Sequence, residues 1–222
     1  MATQFAASSH ADTTPLVTSA KAGPRAWAAL AVLMLPVLLV SVDNTVLSFA
    51  LPQIALHLEP TSAQQLWIVD AYPLVLAGLL VTMGSLGDRF GRRRMLLIGA
   101  SGFGVLSIAA AFVPSAELLI AARVGLGFFG AMLMPATLSL LRSIFRDREQ
   151  RRLAIAVWAA GFSAGMALGP IVGGFLLEHF AWGSVFLLAV PVLLPLLLLA
   201  PLLGSESRRP NPGALYILGI VL

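Results

Sequence analysis

Cysteine is absent from the 222 residues, which excludes disulfides, thiolate nucleophiles and cysteine metal sites. Charge is scarce as well. Asp, Glu, Lys and Arg make up 11% of the chain, where a soluble domain carries about 25%. The three histidines, His10, His57 and His179, are scattered in the N-terminal tail or at outer span ends. No Gly-x-Ser-x-Gly or His-Glu-x-x-His string occurs, so an intramembrane enzyme is the least favoured function class. A Gly-x-x-x-x-Gly-Lys-(Ser/Thr) phosphate loop is missing too, and no ATP site, cofactor or metal is expected. What the chain has instead is apolar surface: 59% of its residues are hydrophobic, more than a soluble fold of this length can hide. An all-helical integral membrane protein is the predicted class. The net charge of +4 does not point to nucleic acid, because the cations lie between apolar runs rather than on one basic face.

Six apolar segments, approximately 26–51, 66–86, 95–113, 118–141, 153–177 and 182–203, are each long enough to cross about 30 Å of hydrocarbon as a helix. A barrel would show short alternating strands instead. The PVLLPLLLLAP stretch from Pro191 is read as a bent span, since spanning helices tolerate proline. Lys21 and Arg25 precede the first segment; Arg89, Arg92, Arg93 and Arg94 follow the second; Arg142, Arg146, Arg148, Arg151 and Arg152 follow the fourth; Arg208 and Arg209 follow the sixth. The intervening loops on the other side, 52–65, 114–117 and 178–181, contain no Lys or Arg. The positive-inside rule therefore predicts a cytoplasmic N-terminus in a cell's inner membrane. Residues 1–24 read as a flexible cytoplasmic tail, 25–204 as six spans, and 205–222 as a cytoplasmic link opening a seventh span that the chain does not complete.

Three ionisable residues fall inside spans: Asp43, Asp70 and Arg123. Counting from the outer span ends at 1.5 Å per residue puts them at depths of roughly 12, 6 and 10 Å. Asp43 and Arg123 thus share a level, and an ion pair between the first and fourth spans is sterically open. Two readings stand: a static clamp between helices, or a titratable acid whose proton affinity depends on whether Arg123 or a substrate is near. Asp70 is shallower; it either meets water at the outer mouth or adds negative charge that draws cations into a cleft. Phe49, Trp67, Tyr72, Phe128, Phe129, Trp158 and Phe162 surround these acids in sequence. Aromatic faces beside carboxylates suit a lipophilic cation, while a lipid-facing or interfacial position is the favoured reading for any single ring.

Between the second and third segments runs GSLGDRFGRRR, whose Gly84, Gly87, Asp88, Arg89, Gly91 and Arg92 match the spacing Gly-x-Leu-x-Asp-Arg-x-Gly-Arg-Arg. That spacing resembles the cytoplasmic signature of the major facilitator superfamily. VDNTVLSFALP from Val42 is similar to the first-span signature of its fourteen-span drug:proton antiporters, with Ser48 where Asn is usual. RVGLGFFGAMLMP from Arg123 and GMALGPIVGG from Gly165 resemble the arginine motif and the antiporter motif of that branch. The resemblance implies the N-terminal six-helix half of an exporter that trades lipophilic organic cations (quaternary ammonium compounds, dyes, biocides) for protons. It makes Asp43 and Asp70 candidates for protonation or cation recognition, and Arg123 the coupling arginine. Asp88 and Arg92 become part of a latch against a missing C-terminal half. Gly165, Gly169, Pro170, Gly173 and Gly174 become the antiporter motif, with a simple small-residue packing seam as the less favoured alternative. A proton-coupled symporter of the same superfamily is the alternative.

Overall fold

The structure, a computed structural model, describes residues 22–199; the expected tail up to residue 21, the end of the sixth segment and the expected seventh span lie outside the described residues. Every regular element among the described residues is an α-helix. They are α1 (Pro24–Leu58), α2 (Ser62–Phe90), α3 (Arg92–Ala111), α4 (Ala116–Ile144), α5 (Arg148–His179), α6 (Ser184–Leu187) and α7 (Ala189–Leu198). The first five are long and apolar enough to cross a membrane.

Helices α1, α2, α4 and α5 outrun their apolar segments at both ends, and polar side-chain caps start three of them. Pro24 opens α1 with its ring-fixed φ, where a missing N–H costs nothing. Thr61 and Gln64 form a reciprocal capping box at the start of α2. Ser115 accepts from the Leu118 N–H and Asp147 from the Gln150 N–H, starting α4 and α5. Only Gly91 separates α2 from α3. Its φ of 109° and ψ of 124° belong to glycine, and any side chain there is strained. Gly91→Ala is expected to destabilise the protein by about 1–3 kcal/mol, read as a lower melting temperature of the purified protein. An unchanged melt would show that the turn relaxes freely.

The described part of the sixth segment consists of two short helices, Ser184–Leu187 and Ala189–Leu198, with a break at Leu188. Pro191 supplies the reason: it has no N–H for the Leu187 carbonyl, and its ring crowds that oxygen.

Packing arranges α4 at the centre, with α2 and α3 on two of its faces, and α1 joining α4 to α5. Leu33, Leu47 and Ile54 of α1, Ile68 of α2, Leu96 and Phe103 of α3, and Leu119, Leu126 and Leu133 of α4 are fully buried between them. α2 and α5 leave much apolar surface open, including Leu74, Val81, Ile171 and Phe175. The two ends of the bundle differ in charge. Trp27 packs edge-on against Phe145 at 5.1 Å, and the Ala22 N–H donates to Gln150 Oε1, so the start of α1 adjoins the α4–α5 turn with its arginines. At the other end Gln53 donates to the Leu177 carbonyl and Gln64 to Glu117.

Candidate functional site

Asp43 of α1 and Arg123 of α4 meet in the middle of this packing. Arg123 Nη1 donates to Asp43 Oδ2 at 2.5 Å, and the residues are 1% and 7% exposed. Arg123 Nε donates to the Ile68 carbonyl of α2 at 3.1 Å, and its guanidinium lies 4.4 Å from the centre of the Tyr72 ring. One cation thus ties together three helices. Both charges are out of water, so each depends on the other for compensation: removing one leaves the partner buried and alone.

Asp70 does not join them. Ile68, Tyr72, Val75 and Leu76 are the α2 residues that meet α4. At 100° per residue Asp70 stands on the opposite side of the helix from Tyr72, half-buried, between exposed Trp67 and Leu74. It makes no hydrogen bond or ion pair among the described residues.

The aromatic residues divide in the same way. Phe129 lies against Gly102 of α3, where a Cβ would come within 2.3 Å of its ring. Phe128, 39% exposed, stacks edge-on with Phe129 and projects from α4 about 140° round from Arg123. Trp158 Nε1 donates to Thr137 Oγ1 at 3.2 Å, one turn before half-buried Phe162 on α5. Phe49 and Trp67 are exposed, whereas Tyr72 is completely enclosed. The rings therefore do not converge on one cage around Asp43.

The motif on α5 is a seam against α1. A Cβ on Gly165 would sit 2.6 Å from Ser41 Cβ and 3.0 Å from the Leu38 carbonyl. One on Gly169 would sit 2.9 Å from Thr45 Cβ, and one on Gly173 2.9 Å from Val46 Cγ2. Gly161, which sequence reading passed over, extends the seam one turn further against Met34; its four-residue offset from Gly165 was the available signal. Gly174 meets nothing within 4 Å and lies off the seam. Ser41 and Thr45 stand two residues either side of Asp43, on the opposite face of α1. The helix carrying the acid is thus gripped by glycines behind and by Arg123 in front.

At the basic end, Asp88 Oδ1 accepts from Arg92 Nε at 3.0 Å and Nη2 at 2.8 Å, while Arg92 Nη1 donates to the Ser139 carbonyl of α4 at 3.2 Å. Arg92 therefore fastens the α2–α3 turn to α4. Gly84 faces Pro135 of α4 at 3.5 Å, Gly87 faces Met95 at 3.8 Å, and Arg89 lies over the Phe90 ring at 5.6 Å. No group of three His, Cys, Asp or Glu side chains gathers among the described residues.

These features define a polytopic helical membrane protein in which a desolvated ion pair joins two spanning helices and a glycine seam holds a third. The chain belongs to the Major Facilitator Superfamily, whose sequence family matches residues 33–215. That is a family of transporters, not enzymes. The chain is 69% identical over 198 residues to the multidrug efflux pump LfrA of Mycolicibacterium smegmatis, covering 89% of this chain and 39% of that protein. It is 47% identical over 170 residues to the methyl viologen resistance protein SmvA of Salmonella typhimurium, covering 77% and 34%. With the tetracenomycin C resistance and export protein of Streptomyces glaucescens it shares 37% identity over 199 residues, covering 89% and 37%. The chain thus spans little more than a third of the length of these curated relatives.

Proposed function

We propose that the protein acts in proton-coupled multidrug efflux, exporting lipophilic organic cations by alternating access as part of a transporter with a second helical half. The observation that carries this reading is the buried Asp43–Arg123 pair. An intramembrane carboxylate marks a proton or ion path, and here its charged partner among the described residues lies on another helix, so that movement of α4 against α1 would draw it away. Protonation of Asp43 would weaken its hold on Arg123 and shift the balance between arrangements open to either side. A membrane potential of 100 mV supplies about 2.3 kcal/mol per charge moved, enough to bias such a cycle. Among relatives, the names multidrug efflux pump and methyl viologen resistance protein favour export, and methyl viologen is itself an organic dication.

Asp70, with Trp67 beside it on the open face of α2, is the proposed first contact for a cation, at the shallow end of the path. Asp88 and Arg92 are proposed to latch the cytoplasmic face against the second half. The arginines collected at one end support a cytoplasmic position for that end and the N-terminus, and with it the cytoplasmic membrane as the proposed location.

Everted membrane vesicles containing the full gene product test the reading. A cationic dye such as ethidium is expected to accumulate inside when the lumen is acidified, and to leak back when a protonophore collapses the gradient. Dye moving in the same direction as protons would establish symport and overturn the proposal.

A further inference from the structure

Tyr72 is fully buried, and its hydroxyl has no hydrogen-bond partner. An aromatic ring in a cation transporter suggests substrate contact, but no substrate can reach this one. Arg123 covers one face at 4.4 Å, and Phe103 of α3 abuts the ring edge-on with centroids 6.3 Å apart. The remaining space is taken by α4, where Gly127 and Gly130 make room: a Cβ on Gly127 would come 2.7 Å from the Tyr72 carbonyl oxygen, and one on Gly130 3.4 Å from both Cε2 and Oη. The position is thus built to admit a ring beside the arginine.

We propose that Tyr72 is a positioning residue for Arg123, its ring face setting the orientation of the guanidinium and thereby the pH at which Asp43 exchanges its proton. The proposal rests on Asp43 being the coupling acid. Ile68 and Tyr72 are one turn apart on α2, so the Ile68 carbonyl fixes Nε while the ring face lies against the guanidinium carbon. With the carbon and one edge held, Nη1 is left pointing at Asp43. A planar guanidinium is suited to this double restraint in a way a lysine ammonium is not. The hydroxyl takes no part in holding the arginine, so the working element is the face of the ring.

The groups acting on this cluster are Asp43 from α1, Arg123 from α4 and Tyr72 from α2; Asp70 points to the other side of α2. α3 carries charge only in its first turn, α5 only at its two ends, and α6 and α7 carry none. A less firmly held Arg123 compensates the Asp43 carboxylate less. In the full gene product, Tyr72→Leu is expected to move the midpoint of the pH profile of dye efflux upward by up to about one unit, the size of a desolvated cation–π contact. Tyr72→Phe, which keeps the face and removes an unpaired hydroxyl, is expected to keep the original midpoint and melt no lower than the unsubstituted protein. A shift with Tyr72→Phe as large as with Tyr72→Leu would assign the role to the hydroxyl and overturn the proposal, as would a midpoint unmoved by Tyr72→Leu.

A cycle of melting temperatures requires no transport. The loss caused by Tyr72→Leu is expected to be smaller in an Arg123→Met background, and equal losses in both backgrounds would show that the ring does not hold the arginine. Efflux by the unsubstituted protein that ignores pH would remove the proton reading itself. Efflux that follows pH but ignores Tyr72→Leu would remove only the positioning role.

Discussion

Arg123→Met is expected to abolish dye efflux and to destabilise the protein by about 3–5 kcal/mol, the cost of leaving one member of a buried ion pair without its partner. The expectation follows from burial: Arg123 is 1% exposed, and its Nη1 donates to an Asp43 carboxylate that is itself shielded from water. Methionine fills much of the same volume, so a cavity contributes little and the stranded carboxylate dominates. The double substitution Asp43→Asn with Arg123→Met separates the two consequences. With no charge left in the interior, the doubly substituted protein is expected to melt well above Arg123→Met alone, yet to remain inactive. Thermal melting in detergent and dye efflux in vesicles are the two measurements. If the double variant melted as low as the single one, packing rather than the stranded charge would be responsible. If it also transported, the pair would be no more than a clamp between α1 and α4.

How much of this site was legible in the sequence depends on which coordinate is asked for. Depth was legible. Counting residues from span ends put Asp43 and Arg123 at one level, and the structure joins them. Direction was not. In a soluble helix the apolar stripe shows which side faces the core, but α1 to α5 are apolar nearly all round, and an acid at a given level can then point anywhere. Asp70 illustrates the loss: close in sequence to Tyr72, it stands on the far side of α2 from Arg123. Phe129 does the same on α4, where it fills the space beside Gly102. Glycines are the exception, because their lack of a side chain is itself a directional signal. The spacing of Gly161, Gly165, Gly169 and Gly173 at four residues traces a single line along α5, and that line is the face that meets α1. The six apolar segments were likewise visible, whereas their polar extensions and the break at Leu188 depended on caps and on the position of Pro191, local features that an average over apolar length does not register.

The glycine seam carries the other large expected effect. Gly169→Leu is expected to eliminate transport and to lower the melting temperature sharply, because even a Cβ at that position would lie 2.9 Å from Thr45 Cβ and 3.3 Å from the Val42 carbonyl. Rotation of Thr45 could move its hydroxyl aside, but the Cβ and the carbonyl belong to the backbone frame of α1 and cannot move without the helix. Gly169→Ala already forces α1 and α5 apart and is expected to cost about 1–3 kcal/mol, the usual range for overpacking. Lipid sharpens the effect, since helices in a membrane gain little from the hydrophobic effect and associate through close packing of small residues. Gly174→Ala is the control: its Cβ would meet nothing within 4 Å, so melting and efflux are both expected to stay near the starting values. The two alanine variants differ by five positions on one helix and by nothing in chemistry, so a difference between them isolates the seam. Displacement of α1 also moves Asp43, which faces Arg123 from the opposite side of the same helix. Gly169→Ala should therefore alter the pH profile of efflux as well as its rate. A variant that lost stability but kept the original profile would confine the seam to holding α1 and α5 together, with no mechanical link to the acid.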